Sequence, residues 1–391
     1  MKILIVSQRY WPENFRITDI AETLVSIGHE VTVLTGLPNY PKGYVFDEYK
    51  NGNNRIQNHN GVKIIRANEI GRRNNIIFRF LNYYSFPISA KKIVKKLDKD
   101  FDVVLINELS PIMAAEPALL YKKLYGTRVV MYEMDLWPES LLAGGIKKDS
   151  FLYNYYKKVS SKIYSKCDKI LVSTKEHIDY IKNLPNCNEI DIEYLPQYAD
   201  SIFEHSNIDD IDNGIIDLMF AGNIGKAQSL DTIIKAANIL KNNPKFKFHI
   251  VGSGSELENC KRLAAELDIN NIIFYGNKPL SKMPELYALA DAMLVTLEDK
   301  SYANMTIPGK VQSYMAVGKP IIGSINGSCS NFIKNNKIGY VCNSGDYKAL
   351  SELIYNLDET TLKSLKVNSK NIYFQKYSRK MFINRLINFL Q

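Results

Sequence analysis

Three stretches in the second half of the chain carry glycine, two of them with lysine, in a way that suits an anion. Gly222-Asn223-Ile224-Gly225-Lys226-Ala227-Gln228 follows one apolar run and Gly252-Ser253-Gly254-Ser255 follows another. Asn304-Met305-Thr306-Ile307-Pro308-Gly309-Lys310 precedes a helical run over 311–317. Glycine lets a backbone approach a ligand closely, and the start of a helix offers free N–H groups to negative charge. Proline is at home beside such a start. Lys226 and Lys310 bring positive charge to two of the loops. Any one of them reads equally well as an ordinary turn. Three in one half point to the diphosphate of a nucleotide, with its base expected at Gly276-Asn277-Lys278-Pro279.

Such loops need strands and helices to present them. One unit is written twice: a strand over 2–7, a helix over 17–28 and a strand over 30–34, then again 217–222, 230–240 and 247–252. Continuous apolar runs of this kind suit strands covered on both faces of a parallel sheet. Further strands are expected at 62–66, 103–107, 129–133 and 169–173, then near Leu218, His249, Ile272, Ala292 and Ile321, with helices between. The fold class is α/β, with two facing Rossmann-like, doubly wound parallel-sheet domains over 1–197 and 198–376. The last helix, within 377–391, is a candidate to cross back to the first domain. Residues 195–213, with Pro196 and the run Asp209-Asp210-Ile211-Asp212-Asn213, read as the linker. A cleft between two such halves would bring a donor and an acceptor together, which points to a transferase. By the usual rule, ligands bind beyond the carboxyl ends of the strands.

At 391 residues and with five scattered cysteines lacking any CxxC pair, the chain reads as a two-domain protein of a reducing compartment. The first strand is too short, and too soon followed by Arg9 and Glu13, to be a signal peptide. No apolar run reaches the length of a spanning helix. The net charge of +9 is concentrated: Arg72, Arg73, Arg79, Lys91, Lys92, Lys95, Lys96 and Lys99 face only Asp98 between 71 and 99. Phe78, Phe80 and Tyr83 lie among them, a mixture that suits an anionic membrane surface. The plain alternative is a buried amphipathic helix with a solvated basic side. No nucleic-acid motif accompanies the charge, so nucleic acid is not an expected partner. The acidic pairs Asp100-Phe101-Asp102 and Asp210-Ile211-Asp212 read as turn and linker residues, and no metal site is expected.

A resemblance becomes specific at Trp11-Pro12-Glu13-Asn14-Phe15-Arg16, Gly28-His29-Glu30-Val31-Thr32-Val33 and Thr35-Gly36-Leu37-Pro38-Asn39-Tyr40-Pro41. It continues through Asp135-Leu136-Trp137-Pro138-Glu139-Ser140, the 222–228 loop, Ile307-Pro308-Gly309-Lys310 and Gly318-Lys319-Pro320. Over nearly its whole length the chain resembles a family 4 glycosyltransferase of the GT-B fold, in the WbuB-like branch that makes O-antigen and capsule sugars. The resemblance implies a nucleotide-sugar donor on the second domain, with UDP favoured, and an acceptor on the first. It also implies retention of configuration, and neither a metal nor a cofactor, the nucleotide sugar being a substrate. The acceptor it implies is a polyprenyl-diphosphate-linked sugar, used by a cytoplasmic enzyme peripheral to the inner face of the membrane. A nucleotide-sugar 2-epimerase of the same architecture, or a non-catalytic membrane-recruiting subunit, is the alternative.

The chain departs from the family pattern where charge matters most. Asn223 and Gln228 occupy positions where many members carry Arg and Lys, and Met305 and Ser313 stand where many carry two glutamates. Lys226 and Lys310 are the replacements for the diphosphate charge. The donor set is therefore Asn14 and Arg16 from the first loop, with Gly222, Asn223, Gly225, Lys226, Gln228, Gly252, Gly254, Asn277, Lys278, Thr306, Pro308, Gly309 and Lys310. Asp135 and Glu108 follow first-domain strands and are the catalytic candidates. Each has a plain alternative, Asp135 as a helix N-cap and Glu108 as a solvated loop residue. The membrane or acceptor set is Arg72, Arg73, Phe78, Phe80, Tyr83, Lys91, Lys92, Lys95 and Lys96.

Overall fold

A computed structural model describes residues 1–72, 76–206 and 213–391. The chain divides into two compact units, Met1–Leu195 with Ile383–Gln391, and Pro196–Phe382. Arg73 and the acidic pair at 210–212 lie outside the described residues.

The first unit is built on eight strands: β1 (Lys2–Val6), β2 (Glu30–Thr35), β3 (Ile56–His59), β4 (Val62–Arg66), β5 (Val103–Glu108), β6 (Arg128–Glu133), β7 (Lys169–Val172) and β8 (Asp191–Tyr194). They lie in the order β3-β4-β2-β1-β5-β6-β7-β8, all neighbours parallel except the β3–β4 hairpin. Ile3, Leu4, Ile5 and Val6 are all buried, as a central strand covered on both faces requires. The final residues join this unit: Arg128 Nη1 donates to the Phe389 carbonyl at 2.8 Å, and Ile383, Leu386 and Leu390 are buried.

The second unit holds six parallel strands: β9 (Ile216–Ala221), β10 (Phe246–Val251), β11 (Ile272–Gly276), β12 (Ala292–Thr296), β13 (Ile321–Ser324) and β14 (Gly339–Cys342), in the order β11-β10-β9-β12-β13-β14. Alternate residues of β9 feed separate cores, Met219 and Ala221 on one face, Leu218 and Phe220 on the other. Both faces are thus covered by helices. The stretch expected as linker is partly structured, because Phe203 of the short helix Ser201–Glu204 is buried and stacks on Tyr287 at 5.1 Å. Strands β3, β8 and β14 are not among those expected. β3 and β8 are short and polar, Ile56-Gln57-Asn58-His59 and Asp191-Ile192-Glu193-Tyr194, and each lies at a sheet edge.

Candidate active site

At the carboxyl ends of β9 and β10 the two glycine loops interlock. Gly222 N–H donates to the Val251 carbonyl at 2.9 Å, Ile224 N–H to Ser253 O at 2.8 Å, and Glu256 N–H to Ile224 O at 3.0 Å. A Cβ on Gly252 would stand 1.8 Å from Gly222 O, and one on Gly254 would stand 2.3 Å from Ile224 O. Both glycines also have φ in the left-handed half of the map, +143° and +159°, so only glycine fits. The next edge joins in through Gly252 N–H to Gly276 O at 2.9 Å, with Asn277 and Lys278 exposed just beyond.

Lys310 reaches into this set from the first position of the helix Lys310–Ala316. Its ammonium donates to Gln228 Oε1 at 3.0 Å and lies 3.9 Å from the centroid of the Phe220 ring. A Cβ on Gly222 would come within 2.9 Å of Nζ, so the first glycine of the loop also makes room for the lysine. Burial lowers the ammonium's pKa to about 7. Tyr314, one turn along the same helix, donates to the Ala221 carbonyl at 2.9 Å and fastens helix to loop. Asn223 and Lys226 are exposed, while Gly225 and Gln228 are half-buried in the same turn. Gly309 and Thr306 are exposed beside Pro308, and Thr306 Oγ1 is turned back to the Ala303 carbonyl at 3.0 Å.

Glu298 is a further member of this cluster. Its backbone N–H donates to Ala227 O at 3.0 Å, and its carboxylate is held by Tyr302 at 2.7 Å and Lys300 at 2.8 Å. Burial pushes this carboxyl up, but Lys300, Tyr302 and the nearby Lys226 charge leave it below its ordinary pKa. The result is a carboxylate fixed against the glycine loop 222–228. Nothing in its local sequence signals this, since the link is a backbone bond across 71 positions.

In the first unit Asn14 is exposed and Arg16 opens the helix Arg16–Ser26, both after β1. Asp135 follows β6. One carboxylate oxygen accepts from Ser110 Oγ, and the same hydroxyl accepts from Trp137 Nε1 at 2.9 Å. Burial raises the Asp135 pKa. The expectation for Glu108 is corrected. It is the last residue of β5 rather than a loop residue, and is fully buried beside its register partner Glu133. Neither of its carboxylate oxygens has a hydrogen-bond partner among the described residues, and burial next to Glu133 drives its pKa well up. Glu133 is paired to His177 at 2.7 Å. Glu108 cannot meet a sugar from there.

The first unit also has a buried charge network around its first two loops. Arg9 meets Glu13 at 3.4 Å and Glu69 at 3.3 Å. Glu69 Oε1 collects Gln8 at 3.0 Å, Asn39 at 3.1 Å and Asn82 at 2.6 Å, while Glu13 accepts the Asn39 and Tyr40 N–H groups at 2.8 and 2.6 Å. The loops after β1 and β2 are thereby tied together from beneath. Glu13 and Asn39 stand in stretches that carry the family resemblance, yet no spacing rule links them to Glu69.

The basic segment is corrected in part. Tyr83 is buried against Trp137, with ring centroids 5.8 Å apart, Phe78 and Phe80 are half-buried, and Lys91 is engaged by Glu116. Arg72, Lys92, Lys95 and Lys96 are exposed. The acidic pair at Asp100 and Asp102 is also spoken for: Lys2 Nζ meets Asp100 at 2.8 Å, and Lys2 N–H donates to Asp102 at 2.6 Å.

Two parallel sheets of this topology, with glycine loops at the carboxyl edge of the second, make the GT-B fold. A Glycosyltransferase Family 4 model matches residues 15–198, and a model of glycosyl transferases group 1 matches residues 201–373. The chain belongs to family 4 of the glycosyltransferases. It is 27% identical over 286 residues to the probable glycosyltransferase WbjE of Pseudomonas aeruginosa, covering 70% of this chain and 71% of that one. It is 25% identical over 341 residues to the putative colanic acid biosynthesis glycosyl transferase WcaI of Escherichia coli K12, covering 81% and 82%. The structure of Anabaena HepE in complex with UDP matches with a TM-score of 0.73 at 12% identity, over 100% of this chain and 99% of that one. The protein is a glycosyltransferase.

Proposed function

We propose that this enzyme moves a sugar from a nucleotide-diphosphate donor, UDP in preference to GDP, to a lipid-linked saccharide, with retention and without a metal. The observation that carries the donor reading is the Lys310 ammonium, held at 3.0 Å by Gln228 where the glycine loops meet. It supplies the charge that a departing diphosphate needs, and the interlocked loops leave room for phosphate oxygens close to the backbone. Glu298 is suited to accept hydrogen bonds from donor hydroxyls beside that anion. UDP is favoured by the family resemblance, and the HepE structure is a complex with UDP.

In the first unit Asp135 is the group we assign to the reacting sugar or acceptor, oriented by Ser110 and Trp137. The acceptor reading, a polyprenyl-diphosphate sugar, is supported by the exposed basic residues of 72–99, and it makes the enzyme peripheral to the inner face of the membrane. No helix of the described residues is long and apolar enough to cross a membrane. Thermal-shift and calorimetric measurements with UDP, GDP and a panel of UDP-sugars test the donor. Stabilisation by UDP and by one UDP-sugar is expected; a response to none of them contradicts the reading.

A further inference from the structure

Two helices of the first unit turn the same pattern outward. On the helix Ile76–Val94, Ile77, Leu81 and Ile88 are 62%, 44% and 57% exposed. On the helix Phe151–Tyr164, Phe151 and Tyr155 are 88% and 47% exposed. At about 3.6 residues per turn, Ile77, Leu81 and Ile88 form one stripe that runs on into Lys92, with Lys95 in the turn just after the helix. Phe151 and Tyr155 form a second stripe, which runs on into Lys158 and Lys162. All four lysines are exposed.

The two stripes are neighbours. The Tyr84 and Tyr156 hydroxyls meet at 3.2 Å, and the Tyr155 ring packs on Tyr156 with centroids 5.1 Å apart. A Cβ on Gly144 would lie 3.8 Å from Arg79 Nη1, so the turn leading to Phe151 passes beside the first helix. That turn exposes Lys147 and Lys148, and residues 147–162 hold five lysines against Asp149 alone. A single exposed apolar side chain is ordinary, but five on two adjoining helices mark an interaction surface. Its lysines argue against a protein partner, because protein interfaces are depleted of lysine. Long lysine stems beside apolar tips suit a bilayer, where the tips enter the interface and the ammonium groups stay at the headgroups.

We propose that these two helices form one docking face for an anionic lipid bilayer, with Phe151 as its leading apolar tip. The proposal rests on the lipid-linked acceptor reading and adds an anchor outside the basic segment 72–99. The test uses the full chain, co-floated with phosphatidylcholine vesicles with and without phosphatidylglycerol. Two double variants are compared with the parent, Phe151→Ser/Tyr155→Ser and Lys158→Glu/Lys162→Glu. Each is expected to melt at the parent's temperature and to bind UDP as the parent does. Each is also expected to lose about fivefold or more of the bound fraction on anionic vesicles.

Parent and variants floating equally well would overturn the two-helix face and leave membrane attachment standing. A parent that floats with no vesicle would overturn both, and leave the donor reading intact if UDP still binds. Self-association that depends on Phe151, without vesicle binding, would assign the face to a second copy and overturn the proposal.

Discussion

Lys310 is where an ordinary residue type acquires an unusual property from its surroundings. Burial over Phe220 lowers its pKa to about 7, against 10.5 for an unhindered lysine. Between those values the unfolded chain binds the proton and the free folded protein does not, so this group's contribution to stability rises with pH from about 7 toward 10.5. A bound diphosphate favours the ammonium and reverses that preference. UDP affinity is therefore expected to fall as pH is raised from about 7 to 9, with proton uptake on binding at about pH 8. Calorimetry in buffers of different ionisation enthalpy measures the uptake, and Lys310→Ala should abolish it. Glu108 titrates in the opposite sense. Its pKa is raised well above 4.5, so the folded state loses stability as pH climbs past that value. Glu108→Gln is expected to leave stability at neutral pH unchanged or raised, and to flatten its decline above pH 4.5, as urea unfolding at several pH values would record. Gln228 and Lys310 were both singled out in the sequence, but their contact was not, because they lie 82 positions apart. Glu108 was misread because the strand was ended one residue too soon, and that residue decides between solvent and core.

Among elements, the two interlocked loops and the Arg9 network do the positioning. Gly252→Ala would drive a methyl group into Gly222 O, at 1.8 Å, in a left-handed backbone. It is expected to weaken UDP binding at least as much as loss of Lys310, and thermal melts with and without UDP check this. Removing one partner of a buried ion pair leaves the other charge uncompensated, at a cost of about 3–5 kcal/mol. Glu69→Ala is therefore expected to destabilise the protein by about that much, read as a lower midpoint in denaturant. The doubled strand–helix–strand unit was legible because its strands are apolar on both faces. The network was not, because Gln8, Arg9, Asn39, Glu69 and Asn82 come from four separate segments whose polarity reads locally as surface. The helix Ile76–Val94 failed in phase rather than in type: Tyr83 and Phe86 point inward, and the exposed stripe is Ile77, Leu81 and Ile88.

At the scale of the whole molecule, the α/β class and its two parallel sheets followed from periodicity alone. The edge strands β3 and β8 escaped it because an edge strand need not be apolar. The first unit is completed only by the chain's last residues. Ile383, Leu386 and Leu390 are buried there, and each such side chain is worth about 1.5–3 kcal/mol. Deleting 383–391 is therefore expected to destabilise the first unit by several kcal/mol, seen as earlier thermal unfolding and faster proteolysis. The division of chemistry between the units, a diphosphate on one and an acceptor on the other, rests most heavily on Lys310. Calorimetric titration of UDP into the parent protein and Lys310→Ala tests it most directly. The parent is expected to bind, and the variant to bind about tenfold to a hundredfold more weakly, the worth of one charge-assisted contact. Equal affinity in the two proteins, or no binding by the parent, would contradict the account.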